Sequence, residues 1–134
     1  MIQYTIEKKT VLTGSNPGEV KFYPKIVRGA TLNTKKVAAL LQERTTLDIG
    51  EVYGFLLALS KGIRYYVTDS YTVEIDGLGI FTPTINAKSV ESADELKAST
   101  ITKKGVNYRP TSDMKSEYEQ IKFVKANLES KGLM

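Results

Sequence analysis

The chain contains no cysteine and no histidine. Without cysteine there is neither a disulfide framework nor a thiolate metal site; without histidine the commonest general base, the usual zinc ligands and every Ser/His or Cys/His nucleophile pair are missing. Only Lys, Tyr, Asp and Glu remain for acid–base work, so an enzyme is the least favoured class, and no metal, cofactor or small-molecule substrate is expected. Long apolar runs are absent too. Nothing approaches the roughly 20 consecutive apolar residues that span a bilayer, and the N-terminus alternates Ile2, Tyr4 and Ile6 instead of placing an apolar run behind a basic start. The expectation is a soluble, unexported, cytoplasmic chain that does not engage membranes. Internal repeats and low-complexity tracts are not found.

What is present fits one compact domain: 134 residues, 41% hydrophobic and 25% charged. A net charge of +4 and a pI near 9.2 favour a polyanionic partner, but only if the cations gather on one element.

Residues 1–28 read as a β-hairpin. Tyr4 and Ile6 alternate with polar residues, Thr13-Gly14-Ser15-Asn16-Pro17-Gly18 breaks the chain as a mobile loop, and Val20, Phe22 and Tyr23 resume it. Thr34 is placed to cap a first short helix carrying Val37, Leu40 and Leu41 and ending near Thr45 and Thr46. Asp48 followed by Glu51 resembles a capping box. Behind it Val52, Phe55, Leu56, Leu59, Ile63, Tyr66 and Val67 step by three and four, the strongest periodic signal in the chain. That apolar surface is too wide for one helix face and calls for partners on more than one side.

From Tyr71 the period falls to two: Val73 and Ile75 alternate with Thr72 and Glu74, and Asp76-Gly77 turns the chain into Leu78-Gly79-Ile80-Phe81. Residues 84–104 are poor in large apolar side chains and should project from the body, with Ser92 and Glu95 able to cap one helical turn reaching Ala98. Val106 and Tyr108 restart a strand that Pro110 ends. Ser112 or Thr111 can cap a short helix carrying Met114, Tyr118 and Ile121, and the alternation at Ile121, Phe123 and Lys125 allows a last strand before a frayed tail from Asn127.

Three segments in this order resemble the bacterial histone-like HU/IHF family. Thr46-Leu47-Asp48 is similar to its helix–helix turn. Val73-Glu74-Ile75-Asp76-Gly77-Leu78-Gly79-Ile80-Phe81 is similar to the strand entering its Gly-Phe-Gly-x-Phe motif, with Leu78 in place of the first phenylalanine. Val106-Asn107-Tyr108-Arg109-Pro110, followed by Met114 and Lys115, resembles the strand that closes its arm. The resemblance covers residues 32–120, within a single domain of 1–134 that adds an N-terminal hairpin (1–28) and a C-terminal extension (121–134). It implies an α+β intertwined dimer with a helical body, a β-sheet saddle and a projecting β-arm. By the same resemblance the protein is a nucleoid-associated, histone-like homodimer that binds and condenses double-stranded DNA through phosphates with little sequence preference. Lys103, Lys104, Arg109, Lys88 and Lys97 are its implied DNA contacts, Lys103 and Lys104 foremost.

The chain also departs from that pattern. No proline lies between Pro83 and Pro110, where the family carries a wedge at the arm tip; Thr111-Ser112 stands where the family has Gly-Lys; and the arm holds Glu91, Asp94 and Glu95. These departures keep a second expectation open, a family-derived dimeric interaction protein with weak or lost DNA affinity. Three sharper readings yield to plainer ones. Leu78, Phe81 and Tyr108 are expected to pack as core and not to stack bases. Glu74 and Asp76 are solvent-facing acids beside a turn and not a catalytic pair. Lys103-Lys104-Gly105 lacks the spaced glycines and following helix of a phosphate loop.

Overall fold

A computed structural model describes residues 1–14 and 16–126. The chain is α+β, with three α-helices and two three-stranded sheets among the described residues. Its contacts gather into two units, one of Met1–Thr31 with the chain from Tyr118 onward, the other Leu32–Glu117.

The first unit is the hairpin expected at the N-terminus, closed by a strand from the far end of the chain. β1 (Ile2–Thr10) pairs antiparallel with β2 (Val20–Ile26) and parallel with β6 (Phe123–Lys125). The loop between β1 and β2 is held by backbone bonds from Val11 N–H to Glu19 C=O and from Gly18 N–H to Val11 C=O, both 2.8 Å. Pairings of Tyr4 with Ile26, Ile6 with Pro24 and Ile2 with Phe123 collect the apolar side chains on one face. Tyr23 points to the other face, among Glu7, Lys9 and Lys25, so it does not share the face of Val20 and Phe22. Pro24 has no N–H to offer, and it occupies an edge strand, where its missing donor costs no ladder bond. The tail from Asn127 lies outside the described residues.

The second unit begins with two capped helices. α1 (Thr34–Arg44) is capped by Asn33 and not by Thr34: Asn33 is extended and its side-chain oxygen accepts the Lys36 N–H at 3.0 Å, while Thr34 is already helical. α2 (Ile49–Val67) starts as its sequence predicts, with the Asp48 carboxylate accepting the Glu51 N–H at 2.8 Å and Glu51 placing negative charge in the first turn. At 19 residues α2 is about 28 Å long. At its C-terminus the Thr68 hydroxyl donates to the Arg64 carbonyl at 2.7 Å.

The second sheet has the order β3 (Val73–Ile75), β4 (Gly79–Asn86), β5 (Lys103–Arg109), antiparallel throughout. The Asp76-Gly77 turn is present: Gly77 has φ 75° and the Leu78 N–H donates to Ile75 C=O at 3.0 Å, which fits a type II turn, where the third residue needs positive φ. Gly79 is constrained differently. It is buried, its backbone needs no positive φ, and a Cβ there would overlap the Tyr108 ring that lies across it. The Tyr108 hydroxyl donates to the Leu78 carbonyl at 2.8 Å and lies 3.0 Å from Met114 Sδ, and its ring centroid is 5.5 Å from that of Phe81. The second glycine of the glycine-phenylalanine signature thus seats the strand that closes the arm.

Between β4 and β5 the sequence predicts one helical turn. Two single turns of 3-10 helix are found instead, Ala93–Glu95 and Ala98–Thr100. Ser92 makes no side-chain capping bond; the second turn is tied by the Thr100 hydroxyl, which donates to Lys97 C=O at 2.7 Å and accepts the Lys97 N–H at 3.2 Å. After Pro110, α3 (Ser112–Glu119) begins with the Thr111 carbonyl accepting the Lys115 N–H at 3.0 Å. Thr111 is buried, and its hydroxyl has no hydrogen-bond partner among the described residues, so the threonine marks the helix start through its backbone and not through a side-chain cap.

The apolar residues do not close into a core. Among described residues the buried hydrophobic side chains are Ala38, Val52 and Val67, and no large side chain is fully buried. Phe55 is 67% exposed and Tyr65 73%, on a helix whose other side meets the second sheet.

The Gly79–Tyr108 contact yields a stability test. Gly79→Ala should destabilise the fold by about 1–3 kcal/mol, the usual range for overpacking. Tyr108→Ala should cost stability alone yet remove most of the added penalty in the double variant, because the two sites touch. Urea midpoints of the four proteins of this cycle measure it, and additive losses would show that the ring does not rest on Gly79.

Candidate functional site

The β4–β5 ribbon has two faces, set by pleat and register. Thr82 pairs with Asn107, Thr84 with Gly105 and Asn86 with Lys103, while Phe81 pairs with Tyr108, Pro83 with Val106 and Ile85 with Lys104. Paired residues share a face, and successive residues alternate. One face is therefore mainly polar, carrying Thr82, Thr84, Asn86, Lys103, Asn107 and Arg109, with Gly105 within it and Ile80 opposite Arg109 at its base. The other carries Phe81, Pro83, Ile85, Lys104, Val106 and Tyr108.

The apolar face is the one turned to α2. Phe81 and Val106 line a shared concavity with Leu56, Leu59, Ile63 and Val67 of that helix. The polar face consequently points away from the helices. On it the β5 side chains are all exposed, and Lys103 and Arg109 sit six residues apart, about 20 Å along the strand. Glu74 of β3 is the one acid on this face within the sheet, aligned with Ile80 and Arg109.

The five cations singled out in the sequence are thus not brought together. Lys103 and Arg109 share the polar face. Lys104 is on the opposite one, beside Ile85, because adjacent strand residues cannot point the same way. Lys88 and Lys97 lie beyond the paired strands, in an exposed segment that also holds Glu91, Asp94 and Glu95. Among the described residues none of these arm charges is in an ion pair. Leu78, Phe81 and Tyr108 do not pack as the closed core expected of them: Leu78 and Tyr108 are 37% and 50% exposed, although the Tyr108 ring is hydrogen-bonded, rests on Gly79 and lies against Phe81. Asp76 sits in the turn while Glu74 is in the strand, so the two acids do not form a strand pair.

Thr82, Thr84, Asn86 and Asn107 complete the polar face and were not picked out from sequence. The signal was there in the alternation. Val106 and Tyr108 point inward, so Asn107, Arg109 and Lys103 must point outward and Lys104 inward. What the sequence does not carry is the pairing register that adds the β4 residues to the same surface.

What this surface can do follows from its groups. Two fixed cations at either end of a row of hydroxyls and carboxamides offer charge to phosphates and hydrogen-bond donors and acceptors to sugars or base edges. Among the described residues no helix is long and apolar enough to cross a membrane.

Two capped helices, a glycine-phenylalanine hairpin and a ribbon closing at Arg109-Pro110 define an HU-like α+β protein. Residues 1–125 match the family described as HU-HIG, the HU domain fused to wHTH, Ig or a glycine-rich motif, and the chain belongs to that family. The same fold is found in the crystal structure of a protein from Bacteroides vulgatus ATCC 8482 whose name proposes, without asserting, that it is a bacterial DNA-binding protein. The TM-score is 0.67 at 6% identity, over 92% of this chain and 47% of that one. This chain therefore spans about half the length of that relative. No curated protein matches the sequence.

Proposed function

We propose that this protein is a non-enzymatic DNA-binding homodimer that holds double-stranded DNA through the polar face of its β4–β5 ribbon, mainly by phosphate contacts and with little sequence preference. The observation that carries the reading is the segregation of that ribbon. In a member of an HU family, the paired strands present Lys103, Asn107 and Arg109 to solvent and turn Phe81 and Val106 toward α2. Bacterial nucleoid and cytoplasm are the setting that goes with it.

Dimerisation is supported by the open core. A 19-residue helix with Phe55, Tyr65 and Tyr66 exposed, in a unit whose buried hydrophobic residues are Ala38, Val52 and Val67, leaves an apolar surface that water penalises at about 25 cal/mol per Å². A second copy wrapped around α2 is the occupant that family membership supplies. The protein should scatter light as a stable dimer at micromolar concentration and unfold at a concentration-dependent midpoint. A folded monomer under those conditions contradicts the reading.

A second reading rests on a different segment. Residues 87–102 carry three acids against two lysines, with Val90, Leu96 and Ile101 partly exposed. Such a tip is poorly suited to lie along phosphates and better suited to protein contact, in which case DNA binding is weak and confined to the paired strands.

Mutating single charges separates the faces. Each phosphate neutralised releases counterions and adds about 0.9 to the slope of log affinity against log salt. Lys103→Glu and Arg109→Glu should each weaken binding to unrelated duplexes alike, by roughly tenfold, and flatten that slope by about one unit. Lys104→Glu should do distinctly less, because its side chain leaves the opposite face. Gel shifts over a salt series measure all three, and equal effects at positions 103 and 104 would exclude the polar face as the contact surface.

A further inference from the structure

A glycine inside a strand weakens it, since it adds backbone entropy to the unfolded chain and packs nothing, so a strand glycine commonly marks either a demand of the local fold or a close approach by something else. The second sheet offers an internal comparison. Gly77 is required by its positive φ, and Gly79 by the Tyr108 ring. Gly105, in the middle of β5, meets neither demand. Its backbone is not in the left-handed region, and a Cβ there would meet Thr84 Oγ1 at 3.4 Å, an ordinary contact.

Its position is informative. Gly105 pairs with Thr84 on the polar face, one step from Lys103 and one step from Asn107 along that face. The pairing of Pro83 with Val106 fixes the hydrogen-bonding phase: Pro83 has no N–H to donate, so that pair is a non-bonded one and Thr84–Gly105 is a hydrogen-bonded one. The backbone at Gly105 is thereby held flat and satisfied within the ladder. The result is a rigid gap in the row of polar side chains, between a cation and a carboxamide.

We propose that the Thr84–Gly105 rung is the point of closest approach between this ribbon and double-stranded DNA, a side-chain-free step into which one sugar–phosphate strand seats, with Lys103 on one side and Asn107 on the other. The inference rests on the DNA-binding reading above and adds to it the residue that sets how near the duplex can come. A side chain at position 105 interferes by its bulk, without altering charge. Its effect therefore grows with size and leaves the salt slope largely intact, unlike loss of Lys103.

The test is a size series at one position in the full-length protein. Gly105→Ala places only the Cβ for which the fold already has room; Gly105→Val adds bulk that projects outward and suits a strand. Thermal unfolding should show both variants at least as stable as the parent, since alanine and valine are better strand residues than glycine. Affinity for a mixed-sequence duplex should fall modestly for Gly105→Ala and by about tenfold or more for Gly105→Val, as the branched side chain pushes the sugar–phosphate strand off the rung. Light scattering on each variant keeps the oligomeric state in view. If the parent binds the duplex and Gly105→Val binds it equally well, the close-approach role is wrong while DNA binding stands. If Gly105→Ala lowers the unfolding midpoint or splits the dimer, the glycine serves the fold or a second copy of the chain, and the proposal is likewise overturned. If the parent binds no duplex at any salt concentration, the DNA reading itself falls and takes the inference with it.

Discussion

The ring of Tyr108 resting on Gly79 is the contact from which the geometry of the second sheet follows. It ties the last strand to the turn that begins the ribbon: the hydroxyl reaches back to the Leu78 carbonyl, the ring meets Phe81, and Met114 of α3 closes the far side. A strand pair joined by a long excursion has no tight turn to fix its register, and a slip of one residue would exchange its two faces. Here a single interlock near the base supplies what the 16-residue connection between Asn86 and Lys103 cannot. With the register so held, Phe81 and Val106 face α2, and Lys103, Asn107 and Arg109 face outward.

The helices impose a different constraint. α2 is apolar around much of its circumference, and among the described residues it packs chiefly on α1 and one face of the second sheet. Burial is therefore incomplete, and the exposure of Phe55 beside the buried Val52 shows where coverage by the chain's own residues stops. An apolar helix of this length is costly to leave bare in water, and that cost is what supports the proposed association with a second copy. This is an energetic requirement, whereas the Tyr108 interlock is a geometric one. Together they explain how a unit with few enclosed side chains can still present a defined surface.

Much of this was legible in the residues. Asp48 and Glu51 announced the start of α2, Asp76-Gly77 the turn, Pro110 the end of β5, and the collinear segments from Thr46 to Met114 pointed to the family before any contact was known. Local signals failed only by small shifts: Asn33 caps α1 in place of Thr34 because both can accept a hydrogen bond and only backbone geometry chooses between neighbours. The non-local facts were not legible. Nothing in Phe123–Lys125 says that it runs parallel to β1, about 120 residues away in sequence, since three-residue strands carry almost no periodicity. Lys103 and Lys104 were grouped by the family resemblance of the arm; as neighbours on a strand their side chains leave opposite faces, so the ribbon does not present them on one surface.

The net positive charge of the chain is modest, and a surface of +4 spread evenly would steer a polyanion only weakly. What matters is that the ribbon separates its charges by structure. Within the paired strands the polar face sets two cations against one acid at β3, while the segment beyond Asn86 mixes three acids with two lysines and is shaped by two 3-10 turns. A duplex following the cations would be attracted along the strands and find no such gain at the tip. On the proposed DNA-binding reading such an arm would grip through its shaft: without a tip proline and with Glu91, Asp94 and Glu95 in the distal segment, that segment would add little phosphate contact, and any bending of DNA would have to come from contacts such as those of Lys103 and Arg109 and not from a wedge.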